Sequence, residues 1–196
     1  MIVEITEQQA AEYNRRYKRA FALVRRHLLI DGEHQSGRPG WFARRRLRRG
    51  IAEFQEALAI APFKWECRFW IGKALQRLGQ HEESMTWFME ALRQEPENPT
   101  IAKEAANAAF ELGQFDIGIS VLRPATVQKP TDPVLHYDLA IHLLLSGRPK
   151  EAYDSLSQAA RLEAHRSTSR MISYVERILS GQATCPRSVH ELRQGA

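Results

Sequence analysis

The chain has 196 residues, 43% apolar and 26% charged, with a net charge of +5, which is enough apolar material for several helices around a shared core, so that disorder is not the default expectation. No apolar run approaches the ~18 residues that span a bilayer, and the opening residues lack the pattern of a secretory leader, so a cytoplasmic protein without a transmembrane segment is expected. Cys67 and Cys185 stand far apart with no zinc or redox spacing; two free thiols, no metal and no cofactor are the expectation.

The first element is an amphipathic helix over about 6–30, with Ala10, Tyr13, Tyr17, Ala20, Phe21, Val24 and Leu28 on one stripe. A loop containing Gly32, Gly37, Pro39 and Gly40 follows, then a second helix over about 41–61 whose stripe is Leu47, Ile51, Phe54 and Leu58. Charge concentrates here: residues 1–50 hold 12 Lys/Arg against 5 Asp/Glu, whereas residues 51–196 hold 16 against 18. Residues 1–64 therefore read as a basic helix pair completing a degenerate first repeat.

From there on a 34-residue period is visible in independent columns: Pro62, Pro96 and Pro130; Ala57, Ala91, Ala125 and Ala159; Gly72, Ala106 and Ala140; Gly79, Gly113 and Gly147. Each unit reads as two antiparallel helices, the glycine ending the first and the proline following the second. The units fall at 65–98, 99–132 and 133–166. Pro124 lies inside a predicted second helix and should kink or shorten it, while Pro149 suits a first turn. Met171, Tyr174, Val175 and Ile178 predict a capping helix over 167–181, and 182–196, without periodicity, reads as a loose tail.

Within Trp65–Asn98, the residues Gly72, Ala74, Gly79, Phe88, Ala91, Leu92 and Pro96 resemble the tetratricopeptide repeat signature. The later units follow it more loosely, and Ser84 in this unit and Gly118 in the next stand where the family usually has alanine. The resemblance implies an all-α fold, an α-solenoid of tandem helix-turn-helix repeats. It also implies a scaffold, adaptor or chaperone-like module that binds a peptide segment or helix of another protein in a concave groove.

By column, the partner-binding groove is expected to include Phe69, Lys73 and Arg77, then Lys103, Asn107 and Phe110, then Tyr137, Ile141 and Leu144. Lys103 and Asn107 resemble half of the family's carboxylate clamp, but the next unit has Val134 and Asp138 in the matching columns, and a carboxylate would be repelled there. A basic patch of Arg44, Arg45, Arg46, Arg48 and Arg49 carries the alternative, docking on nucleic acid, anionic lipid or an acidic protein, which ranks below the groove. Self-association into a homo-oligomer is a further option. The histidines are scattered, and no phosphate loop or nucleophile motif occurs, so no enzymatic activity is expected.

Overall fold

A computed structural model describes residues 5–28 and 37–195. Among them are ten α-helices and no strand: α1 (Glu7–Val24), α2 (Trp41–Ile60), α3 (Trp65–Leu78), α4 (His81–Gln94), α5 (Pro99–Glu111), α6 (Phe115–Gln128), α7 (Pro133–Leu145), α8 (Pro149–Leu162), α9 (Arg166–Leu179) and α10 (Val189–Gly195). The fold is an all-α solenoid of tandem helical hairpins. The chain divides into two compact units, residues 1–96 and 97–196.

In the first unit, Thr6 starts α1 with a reciprocal cap: its backbone N–H donates to Gln9 Oε1 at 2.9 Å, and its hydroxyl accepts from the Gln9 N–H at 3.2 Å. Helix α1 packs along α2 through Ala20, Val24, Leu47 and Phe54, all fully buried. It also reaches α3, where the Trp70 indole N–H donates to the Tyr17 hydroxyl at 2.9 Å. Helices α3 and α4 meet at a close crossing where Ser84 Oγ donates to the Gly72 carbonyl at 2.8 Å. That bond gives the serine in the usual alanine column a physical reason, because a buried hydroxyl without an acceptor is costly.

The hairpin turns repeat with the period. Gly79, Gly113 and Gly147 have φ of 79°, 69° and 72°, and the residue after each donates its N–H across the turn, Gln80 to Leu75, Gln114 to Ala109 and Arg148 to Leu143, at 2.8–3.0 Å. This six-to-one bond satisfies a carbonyl that the helix end leaves open.

In the second unit, Asn98 and Asp132 cap α5 and α7. Each side-chain oxygen accepts two backbone N–H groups, with Pro99 and Pro133 at the first turn. Helix α7 carries seven buried residues, Leu135, Leu139, Ala140, His142, Leu143, Leu144 and Leu145. It packs against α6 and α8. Helix α6 runs its full fourteen residues through Pro124, so the expected shortening does not occur. Pro124 and Ser120 lie on the exposed face, where water can satisfy the carbonyl that the proline frees.

The terminal segment differs from the expected loose tail. Past α9, Pro186 is buried, the Tyr174 hydroxyl donates to the Thr184 carbonyl at 3.4 Å, and the Cys185 thiol donates to the Leu144 carbonyl at 3.2 Å. Helix α10 then buries Leu192, which is 6% exposed. Seven residues are too few to show a helical period, so this element leaves almost no signal in the sequence.

Candidate functional site

The first helices of the second unit, α5 and α7, line a cavity of about 350 Å³. Phe110, Tyr137 and Ile141 supply its apolar wall, with Asn107 and Asp138 as polar groups. The opposite side comes from the end of the chain: Met171 of α9, and Val189, Leu192 and Arg193 of α10. This volume lies in the range of pockets that hold small ligands or a few side chains.

Two titratable residues one turn apart on α7 border the cavity, and burial moves them in opposite senses. Desolvation raises the Asp138 carboxyl to about 6, against a smaller lowering by the Lys103 ammonium. Desolvation lowers the His142 imidazole to about 4, so the ring is neutral at physiological pH. Phe110 and Phe115 flank that imidazole edge-to-face, with ring centroids 5.9 and 6.2 Å away. Tyr137 also borders a second recess of about 280 Å³ with Val134, His165 and Thr168.

Of the groove residues expected from the columns, Asn107, Phe110, Tyr137 and Ile141 come together at the cavity. Lys103 is half-buried and acts on Asp138. Leu144 does not reach the site: it is fully buried in the core. In the first unit, Phe69 and Lys73 are each 8% exposed, so neither is presented to a ligand. Phe69 packs edge-to-face on Trp65 and Trp70 and lies 5.8 Å from the Phe88 ring. The Arg77 guanidinium is engaged with backbone, donating to the His27 carbonyl at 3.1 Å and the Gly37 carbonyl at 2.7 Å. A column fixes the face of the helix on which a residue lies and not what covers that face; Phe69 is covered by aromatic rings of α3 and α4.

His142, Met171, Val189, Leu192 and Arg193 are the site residues the periodicity did not supply. For His142 a signal existed in the glycine at 118, a gap in a column that usually has alanine.

The basic patch lies at the start of α2. Arg45, Arg46, Arg48 and Arg49 are exposed, and Arg44 donates to the Pro39 carbonyl at 2.9 Å. Among the described residues no group of three His, Cys, Asp or Glu could hold a metal ion, and no helix is long and apolar enough to cross a membrane.

Antiparallel hairpins in tandem, crossing at small residues and presenting their first helices to a pocket, define a helical-repeat protein of the interaction type. The chain belongs to the tetratricopeptide repeat family, whose model matches residues 42–99 and 103–166. No curated protein sequence matches it. Among solved structures it is similar to MamA (residues 41 to the end) from Desulfovibrio magneticus RS-1, with 13% identity, 97% of this chain and 94% of that one covered, and a TM-score of 0.70. It is also similar to YrrB, described as a tetratricopeptide protein with an unusual peptide-binding site (16% identity, 77% of each chain covered, TM-score 0.64). A third likeness is to the first tetratricopeptide domain of Spaghetti (RPAP3) bound to the HSP90 peptide SRMEEVD, with 16% identity, 60% and 94% coverage and a TM-score of 0.56.

Proposed function

We propose that the chain is a protein-interaction module that holds a segment of another protein against α5 and α7 of its second unit, at the cavity between Phe110, Tyr137 and Ile141. The observation that carries this reading is the composition of that cavity: an apolar wall with a few polar groups, which is how sites for anchor side chains are built. The peptide complexes of the Spaghetti domain and the peptide-binding site named for YrrB support it by analogy of fold. Residues 65–98, 99–132 and 133–166 act as the repeats in this reading, and 167–181 as their cap.

The partner's chemistry differs from an acidic C-terminus. Asp138 stands beside the cavity and would oppose a carboxylate there, whereas an apolar anchor suits the wall of Phe110, Tyr137 and Ile141. The tail is part of the site, because α10 lends Val189, Leu192 and Arg193 to it. We place the module in the cytoplasm, where Cys67 and Cys185, both free, are stable as thiols.

The test is a photo-crosslinking amino acid at Ile141, with Val127, 76% exposed on α6, as the control position. Exposed to extract of the native host, the Ile141 probe should capture a protein that the Val127 probe does not, and Tyr137→Ala should reduce that capture. Equal capture at both positions, with a folded protein, refutes the site.

A further inference from the structure

The second helix opens with two adjacent aromatic residues that the chain leaves in solvent: Trp41 is 65% exposed and Phe42 is 77% exposed. They pack on each other edge-to-face, with ring centroids 4.8 Å apart and planes at 81°. The Arg45 guanidinium lies 5.7 Å from the centroid of the Trp41 ring. Next to them is a recess of about 500 Å³ between α1 and α2, with Leu23 and Phe42 as apolar lining and Arg19, Arg45, Arg46 and Arg49 as cations. Arg19 is shared with Glu53 at 3.1 Å. Arg45, Arg46, Arg48 and Arg49 make no ion pair among the described residues.

From Gly37 to Gly50 the sequence contains only Gly, Pro, Ala, Leu, Trp, Phe and Arg. Nothing in that stretch neutralises the arginines, and it has no amide or hydroxyl side chain. A monomer gains nothing from holding a Trp–Phe pair in water, and such a patch rimmed by charge marks a surface that is covered in use.

We propose that the start of α2 docks on an anionic lipid surface, with Trp41 and Phe42 entering the headgroup layer and Arg45, Arg46, Arg48 and Arg49 meeting lipid phosphates. Trp at the boundary of water and acyl chains, next to a polybasic segment, supplies the two signals that stable peripheral binding requires. Each arginine near a negatively charged leaflet raises the partition constant by about fivefold. Single-stranded nucleic acid is the competing polyanion, and the geometry disfavours it. Bases stack on open aromatic faces, whereas Arg45 lies over the Trp41 ring and Phe42 packs against it.

The experiment is co-sedimentation of the full chain with vesicles of phosphatidylcholine alone and of phosphatidylcholine mixed with phosphatidylserine. The mixed vesicles should retain the protein, more weakly at high salt, and the neutral ones should not. Trp41→Ser with Phe42→Ser should lower the partition constant by about tenfold or more, as should Arg45→Gln with Arg46→Gln and Arg49→Gln. All five positions lie on the surface, so thermal melts of these variants should match the parent. Brominated lipid should quench a tryptophan signal that Trp41→Ser lacks. Absence of binding to the mixed vesicles overturns the proposal. So does binding that the aromatic variant leaves unchanged, which makes the patch a general polyanion surface. Release from vesicles by equimolar single-stranded oligonucleotide, with loss of oligonucleotide binding in the aromatic variant, assigns the patch to nucleic acid instead.

Discussion

Gly118 of α6 and His142 of α7 are a matched pair: a Cβ at position 118 would overlap the imidazole ring of His142, nearest its Nδ1 and Cε1. Both residues are buried. The missing methyl on one helix is the space the ring on the other occupies, and that ring in turn borders the cavity.

The pair predicts a non-additive double-mutant cycle. Gly118→Ala alone overpacks the crossing and should destabilise by about 1–3 kcal/mol, despite the better helix propensity of alanine. His142→Ala removes the obstacle, so the double variant should recover most of that loss. Urea melts of the four proteins give the coupling, and equal cost of Gly118→Ala in both backgrounds would refute the packing account.

Acid titration should separate the two residues of α7. His142 has a folded value of about 4 against an ordinary 6.5, so its contribution is complete above 6.5 and is lost as pH falls through 4. The span corresponds to about 3 kcal/mol. Asp138 has a folded value of about 6 against 3.8, so ionisation costs the folded state. Its contribution is complete below 3.8 and is lost as pH rises through 6, a loss of about 2–3 kcal/mol. The two slopes oppose each other between about 4 and 6 and leave the parent's own dependence shallow there. Asp138→Asn should unmask a fall in melting temperature on acidification across that window, and His142→Ala should unmask a rise. Parallel curves for both variants would show that these groups are not buried in solution.

Replacing Gly79 by alanine forces a side chain into a left-handed backbone at φ 79°. The expected cost is about 1–2 kcal/mol. A Cβ there meets no neighbour within 4 Å, so thermal melting should report backbone strain alone, with Gly79→Asn losing less than Gly79→Ala.

Removing residues 182–196 should leave the helical repeats folded, because α8 and α9 pack without them. The cavity loses Val189, Leu192 and Arg193, so an environment-sensitive dye should bind the shortened chain more strongly and Leu192→Ala should reproduce part of the gain. Unchanged dye binding would mean that α10 does not cover the site.

The helical hairpins were legible because each signal was local and repeated: glycine after the first helix, proline near the second, small residues at crossings. Ser84 and Gly118 appeared in the sequence as departures, and each is explained by a contact from the facing helix, the Gly72 carbonyl and the His142 ring. The columns pointed to α5 and α7 and to four of the residues that line the cavity, Asn107, Phe110, Tyr137 and Ile141. Phe69, Lys73 and Leu144, expected in the groove, are buried, because a column fixes the face on which a residue lies and not how deeply it is covered. Helix α10 was invisible because a single buried leucine in seven residues carries no period.

Arg77 has one further implication. A single guanidinium holds the carbonyls of His27 and Gly37, and so gathers both ends of the connection between α1 and α2 onto α3. That side chain, from a neighbouring hairpin, adds an anchor ahead of the basic helix to the packing of α2 on α1 and α3. The aromatic start of α2 thus follows closely on a backbone point that α3 holds.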